Sequence, residues 1–407
     1  MLNNYFKSSI KMAEQESTPS SKIVISSDFE GANAGDWSVN ESTYPIEVRV
    51  GPGSSEHIWY FRISGVRDKT VRFVTDLNRF MRGHKLQLGI AYSYDNKRWL
   101  NVNNQNDGTQ VIRFTEDVAF ISLQPIITNT TLELWYKDLP NLRHIQRRHL
   151  GITDGQPGQM RWDRDPPLPH EPKAYDHGFP LWLYTITDES EPPESKKNIL
   201  IVARECGWET QSTYSTLAIM EWLLSEDPLA RRAREMAVWY FIPIANVDCV
   251  SAGLETSMKL SWFNPDDPDF ISPFQEVEFI KDFIIEEFDG GRELDFVVRW
   301  HAFFRFATHI MKNQRSDRGN AIVQEEFDAI GAHLTINNYG IDRRDGMYRF
   351  DRWLRDELNL DIPLLTLEAG QYNTERDFET RTWITLEDHR LHGVAFGRYF
   401  TRLLDVD

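Results

Sequence analysis

Residues 198–226 read "NILIVARECGWETQSTYSTLAIMEWLLSE". An apolar run stops abruptly in Arg204, Glu205, Cys206, Gly207, Trp208 and Glu209, and the chain resumes in "TYSTLAIMEWLLSE", which reads as a helix. A buried strand that ends in a charged, thiol-bearing turn is the arrangement in which α/β enzymes place their chemistry. Cys206 and Glu209 stand three residues apart, a spacing at which two side chains can share one metal ion. A metal site, a nucleophile and a plain strand end are all compatible with these residues alone.

Outward from this segment, strand and helix patterns alternate. "PLWLYTIT", "AVWYFIPIA", "DFVVRWH" and "IPLLTLEAG" read as strands, whereas "PFQEVEFIKDFIIEEF", "RGNAIVQEEFDAIGAHL", "MYRFDRWLRDEL" and "HRLHGVAFGRYFTRLLD" read as helices. Such alternation predicts a mixed or parallel sheet covered on both faces, with ligands gathered at the carboxyl ends of its strands. Cys206 with Glu209, His301 and Glu368 each follow or end an apolar run, so a shared sheet would bring them to one edge. Thiolate, carboxylate and imidazole make an acceptable zinc set with one position left for water. An unliganded glutamate beside it would act as general base. Taken singly, each residue has a plainer reading, since a core cysteine is usually a small hydrophobe and a core histidine is usually hydrogen-bonded.

Residues 23–140 differ. "YPIEVRV", "HIWYFRISG", "TVRFVTDL", "TQVIRFT" and "TLELWYK" are rich in β-branched and aromatic residues, with Gly, Asn, Asp and Ser between them, and predict an antiparallel β-sandwich. Trp59 and Tyr60 are read as its inter-sheet core. Residues 138–175, dense in Pro, Gly and charge, read as a linker, and "RHIQRRH" at 143–149 as a solvated part of it. The polar stretch 1–22 reads as a disordered leader. The expected organisation is therefore a leader (1–22), a β-sandwich (23–140) and an α/β/α domain with a mixed sheet (141–407).

Composition narrows the function class. The 407 residues carry a net charge of −17, which argues against a nucleic-acid partner, because phosphate affinity rests on clustered Lys and Arg. No apolar stretch is long enough to span a bilayer, and residues 1–22 lack the apolar core of a secretory signal. With two cysteines, Cys206 and Cys249, no disulfide framework is expected, and a soluble cytoplasmic protein follows. The sequons at Asn40 and Asn129 are then chance matches. Oligomeric state leaves no trace in the sequence.

"ARECGWETQSTYSTLAIMEWLLSEDP", "YFIPIANVDCVSAG", "RWHAFF" and "PLLTLEAG", in that order, resemble the zinc metallocarboxypeptidases, especially the cytosolic carboxypeptidase branch. "SSDFEGANAGDW" and "WYFRISG" are similar to the β-sandwich that precedes the catalytic domain in that branch, so the likeness runs over roughly 24–403. The resemblance implies a carboxypeptidase-like α/β domain that removes C-terminal residues from peptides or protein tails through a zinc-activated water. It implies Cys206, Glu209 and His301 as zinc ligands, Glu368 as the glutamate that activates the water, and Asn264 as a holder of the substrate carboxylate. Tyr348 is a candidate substrate clamp. Several positions depart from the family pattern. Cys206 stands for the first histidine ligand, Pro265 for the carboxylate-binding arginine, Arg299 for an aspartate, Phe303 for a later histidine and Cys249 for a glycine. A second family arginine is also missing near Glu255, where Lys259 is the nearest cation. These departures leave a second reading, an inactive pseudoenzyme that keeps the fold as a binding or scaffolding protein. Two others are a Cys206 nucleophile with His301 as its base and a Cys206–Cys249 disulfide, which a reducing compartment disfavours.

Overall fold

The computed structural model describes residues 22–51, 53, 58–74, 90–102, 110–157, 174–190, 192, 195–258, 262, 271–288, 292–302, 309–312, 317–331, 334–336, 350, 353–354, 358, 364–369 and 385–405. In its N-terminal part, β-branched and aromatic residues suited to a pleated surface form short strands. They are β1 (Val24–Ser26), β2 (Trp37–Asn40), β3 (Ile46–Val50), β4 (Tyr60–Ser64), β5 (Thr70–Val74), β6 (Ile90–Ser93), β7 (Leu100–Val102), β8 (Gln110–Arg113) and β9 (Val118–Ser122). They make a five-stranded sheet, ordered β1-β4-β9-β6-β7, and a four-stranded sheet, ordered β2-β3-β5-β8. Pairing is antiparallel except for β3 with β5, which run parallel.

The side-chain period of two decides what each face covers. Trp59, Phe61 and Ile63 enter the core between these two sheets. Ile58 and Tyr60, on the opposite face, enter a larger core shared with the rest of the chain. Tyr60 donates to Asn96 Oδ1 at 2.7 Å and is ringed by Phe29, Trp99 and Phe120. The aromatic pair expected to fill one core thus serves two.

Two sequence expectations fail here. "TLELWYK" is not a strand but part of helix α1 (Asn129–Lys137). Thr128 caps it, with its hydroxyl accepting from Thr131 N while Thr131 Oγ1 accepts from Thr128 N, and this closed box commits the chain to helix despite its alternating pattern. "RHIQRRH" is not a linker but runs into β10 (Ile145–Ile152), the outer strand of a third, eight-stranded sheet. Arg147 lies over the Tyr136 and Trp182 rings at 4.0 and 4.4 Å and pairs with Glu133 at 2.7 Å. Long cationic side chains can cover apolar surface with their stems, and edge strands tolerate charge.

This third sheet continues with β11 (Pro180–Ile186), β12 (Lys197–Ala203), β13 (Ala237–Ile242), β14 (Phe296–Ala302), β15 (His309–Lys312), β16 (Leu334–Ile336) and β17 (Leu364–Ala369). Its order is β10-β11-β13-β12-β14-β17-β15-β16. The central strands β13, β12, β14 and β17 are mutually parallel, and antiparallel pairs flank them, which makes the sheet mixed. Apart from Lys197, every residue of β12 is buried, as expected of a strand covered on both faces. Further helices are α2 (Thr210–Leu223), α3 (Pro228–Met236), α4 (Val247–Ala252), α5 (Gln275–Phe288), α6 (Asp317–Ala329) and α7 (Leu386–Leu404). α7 lies close against α2 because Gly393 and Gly397 carry no Cβ, which at Gly393 would stand 2.2 Å from Ser215 O. Among the described residues no helix is long and apolar enough to cross a membrane.

Candidate metal centre

β12 ends at Ala203, and the next residues leave the sheet in a tight turn. Arg204 takes φ +60°, a left-handed conformation that costs a non-glycine residue energy and therefore needs fixing by its surroundings. Its buried guanidinium supplies this by donating to Gly207 O at 3.1 and 2.9 Å and to Ile127 O. Burial pushes the Arg204 pKa down to about 9, still cationic near neutrality. Gly207 is obligatory, since a Cβ there would stand 2.0 Å from Leu254 O.

The turn is further held from the side. Met258 N donates to Glu205 O, Gly207 N to Thr256 O, and the Asn246 amide to both Glu205 O and Thr256 O. From the N-terminal part, Gln124 Nε2 donates to Trp208 O at 2.6 Å, and Ile127 N donates to Thr210 Oγ1 at 3.3 Å. The Gln211 amide donates to Gln124 Oε1. The sandwich-side segment 124–128 thus fastens the turn at both ends. Nothing in the sequence of that segment signals this.

Within the turn Cys206 bridges to Ser257, and Glu209 stands at the N-cap of α2. His301 lies in β14, directly beside β12 in parallel. One ligand atom each from Cys206, Glu209 and His301 falls within 4.8 Å of the others, and all three residues are buried. His301 Nδ1 is 2.9 Å from Glu209 Oε2. Zinc–ligand bonds of about 2.0–2.3 Å fit one ion among sulfur, oxygen and nitrogen donors gathered this closely. The donor set therefore fits zinc.

Glu368 lies in β17, and its backbone is the register partner of His301. Its side chain lies outside the described features, as do Asn264, Tyr348, Lys259, Pro265 and Phe303 and the leader through residue 21. No disulfide joins Cys206 and Cys249. Burial pushes the Cys249 thiol well up, so it stays protonated.

Two features escaped the sequence reading. Glu205 and Arg299 form a buried, two-pronged ion pair beside the cluster, with Arg299 Nε donating to Glu205 Oε1 at 2.7 Å and a terminal guanidinium nitrogen to Oε2. Their signal was a charge in each of two otherwise apolar contexts, visible once β12 and β14 are neighbours. Behind the turn, Asp248 and Glu276 are buried together, with Asp248 N donating to Glu276 Oε1 at 3.1 Å and Thr153 Oγ1 to Asp248 Oδ1. Burial, and for Glu276 also the charge of Asp248, raises both pKa values well above the carboxylate range.

The sequence profile of the zinc carboxypeptidases matches residues 177–262, which hold Cys206 and Glu209 but neither His301 nor Glu368. Among solved structures, the fold is similar to a metallo-carboxypeptidase from Burkholderia cenocepacia, with a TM-score of 0.69 and 17% identity over 95% of this chain and 100% of the other. It is also similar to a metallo-carboxypeptidase from Pseudomonas aeruginosa in complex with (2-guanidinoethylmercapto)succinic acid, with a TM-score of 0.67 and 16% identity over 94% and 99% of the two chains. No curated protein matches the chain by sequence.

Proposed function

We propose that this chain, whose residues 177–262 match the profile of the zinc carboxypeptidases and whose fold is similar to that of a metallo-carboxypeptidase, is a zinc-dependent hydrolase of C-terminal residues on peptides or protein tails. The observation that carries the reading is the convergence of Cys206, Glu209 and His301, from a turn and a neighbouring strand, on one buried point. When bound there, zinc would supply Lewis acidity toward a scissile carbonyl and a water.

The chain's own residues divide the remaining work. Cys206 and Glu209 bring two negative charges that offset the ion's two positive ones, a softer setting than an imidazole in place of the thiolate would give. His301 contributes a neutral donor. Glu368, whose backbone pairs with that of His301, is the proposed general base, taking a proton from the attacking water and delivering it to the leaving amine. Asn264 is the proposed anchor for the substrate's terminal carboxylate, and the cytoplasm the proposed compartment.

Metal content of the purified protein and of Cys206→Ser, with release of C-terminal residues from unblocked and C-terminally amidated peptides, tests the reading. We expect one zinc per chain, a sharp loss of zinc in Cys206→Ser, and cleavage of the unblocked peptide alone. Cys206→His is expected to raise the rate, because it restores a neutral ligand. A wild-type protein that takes up no zinc overturns the reading. Full zinc loading without hydrolysis by wild type or Cys206→His would instead favour a binding protein of the same fold.

A further inference from the structure

We propose that Glu205 and Arg299 act as a buried positioning pair for His301, with Glu205 orienting the imidazole and Arg299 holding Glu205 in place; this rests on the reading of the cluster as a zinc centre. The two nitrogens of His301 face two different carboxylates. Nδ1 is 2.9 Å from Glu209 Oε2, on the side of the ligand cluster, and Nε2 is 4.0 Å from Glu205 Oε2. That second distance is longer than a hydrogen bond but leaves the carboxylate as a close charge beyond the far edge of the ring. Metal-binding histidines commonly keep their second nitrogen against a carboxylate or carbonyl, which sets the tautomer and the ring's aim.

Glu205 is itself held from two further directions. Arg299 grips both of its oxygens, and Trp262 Nε1 lies 3.4 Å from Oε2. The forked guanidinium fixes the carboxylate in a plane as well as in position, which a point charge would not do. Both partners are closed off from solvent, Glu205 fully and Arg299 at 1% exposure.

Placement in the chain gives the pair its leverage. Glu205 directly precedes Cys206 in the turn, and Arg299 stands two residues before His301, on the same face of β14. One ion pair therefore couples the segments that carry two of the three candidate ligands, across neighbouring parallel strands. Charge balance points the same way. A lone carboxylate beside Cys206 and Glu209 would add a third anion, and Arg299 cancels it, so the ring is oriented without added net charge. Buried ion pairs contribute little net stability after desolvation, which leaves orientation as the property that this one supplies.

The test compares wild type with the double variant Glu205→Gln/Arg299→Met, which removes both charges at similar volume and strands neither, and with Arg299→Lys, which keeps the charge and loses the fork. Zinc affinity is measured by competition with a chromophoric chelator. The cobalt-substituted proteins are then compared by the thiolate-to-cobalt band from Cys206 and by the d–d bands, which report coordination geometry. We expect the double variant to bind zinc about 10- to 100-fold more weakly, with shifted d–d bands, and Arg299→Lys to fall between it and wild type. If the double variant does not fold, Arg299→Lys carries the test alone, with weaker binding expected. Wild-type affinity and cobalt spectrum in either folded variant overturn the proposal while leaving the zinc reading intact. A wild-type protein that binds neither ion overturns the zinc reading and this proposal with it.

Discussion

One pair of buried acids lies in the turn that follows β12 and another packs behind it, and the two are stabilised in opposite ways. Around the candidate metal cluster, Glu205 faces the Arg299 guanidinium and Glu209 faces the His301 ring, so each carboxylate meets nitrogen. Behind the turn, Asp248 and Glu276 meet mainly each other, a threonine hydroxyl and a backbone amide, and burial drives them toward their protonated forms. Burial is equally complete in both groups. The difference is the supply of cationic or ring partners, and it separates a place that can take a metal ion from one that takes a proton.

Gly207→Ala strikes at both groups and should have the largest effect. The new methyl would collide with Leu254 O and press within 3.3 Å of Cys249 Cβ, so the turn has to move. We expect a loss of about 3 kcal/mol of stability and a fall in Tm of about 3–4 °C, with zinc binding lost as well. Unchanged melting would show that the turn is far more pliable than its contacts imply.

Gln124→Ala should separate the groups. It removes a buried donor to Trp208 O and the partner of the Gln211 amide, at a cost of about 2 kcal/mol. Zinc affinity is expected to drop several-fold, whereas the pH dependence of melting should keep the wild-type slope. An altered slope with intact zinc binding would reverse the assignment of Gln124 to the metal side.

Glu276→Gln is the complementary and smallest perturbation. In wild type the folded state holds a proton that the unfolded state releases near pH 4, so this pair's contribution to stability declines as pH rises from about 4 toward its raised folded pKa values. Replacing Glu276 removes one of the titrating acids and the repulsion on Asp248. The Tm difference, variant minus wild type, should therefore grow between pH 5 and pH 8 (about the range in which carboxylates of raised pKa titrate), with zinc affinity unchanged. A difference that is flat with pH would remove the protonated pair from the account.

Much of this architecture is written in local patterns. The run "NILIVA" has no polar face, and only a doubly covered strand or a core helix accommodates such a run. Cys206 and Glu209 lie on one turn, so their proximity follows from spacing. His301 and Glu368 end apolar runs, and parallel neighbours bring such ends together. The errors arose where a local pattern was ambiguous. "TLELWYK" alternates like a strand, yet Thr128 and Thr131 close a helix cap on it. "RHIQRRH" is charged like a linker, yet its arginine stacks on rings from two other elements.

By itself, then, the chain's sequence determined the strand-and-helix alternation, the position of the charged turn and the candidate donor types, because each depends on residues within a few positions of one another. Only the tertiary structure decided that Arg299 would neutralise Glu205, 94 residues away, that Tyr60 would serve a different core from Trp59, and that Gln124 would fasten the turn. Those contacts depend on which strands become neighbours. A buried charge reveals its role only when the group that compensates it is in place.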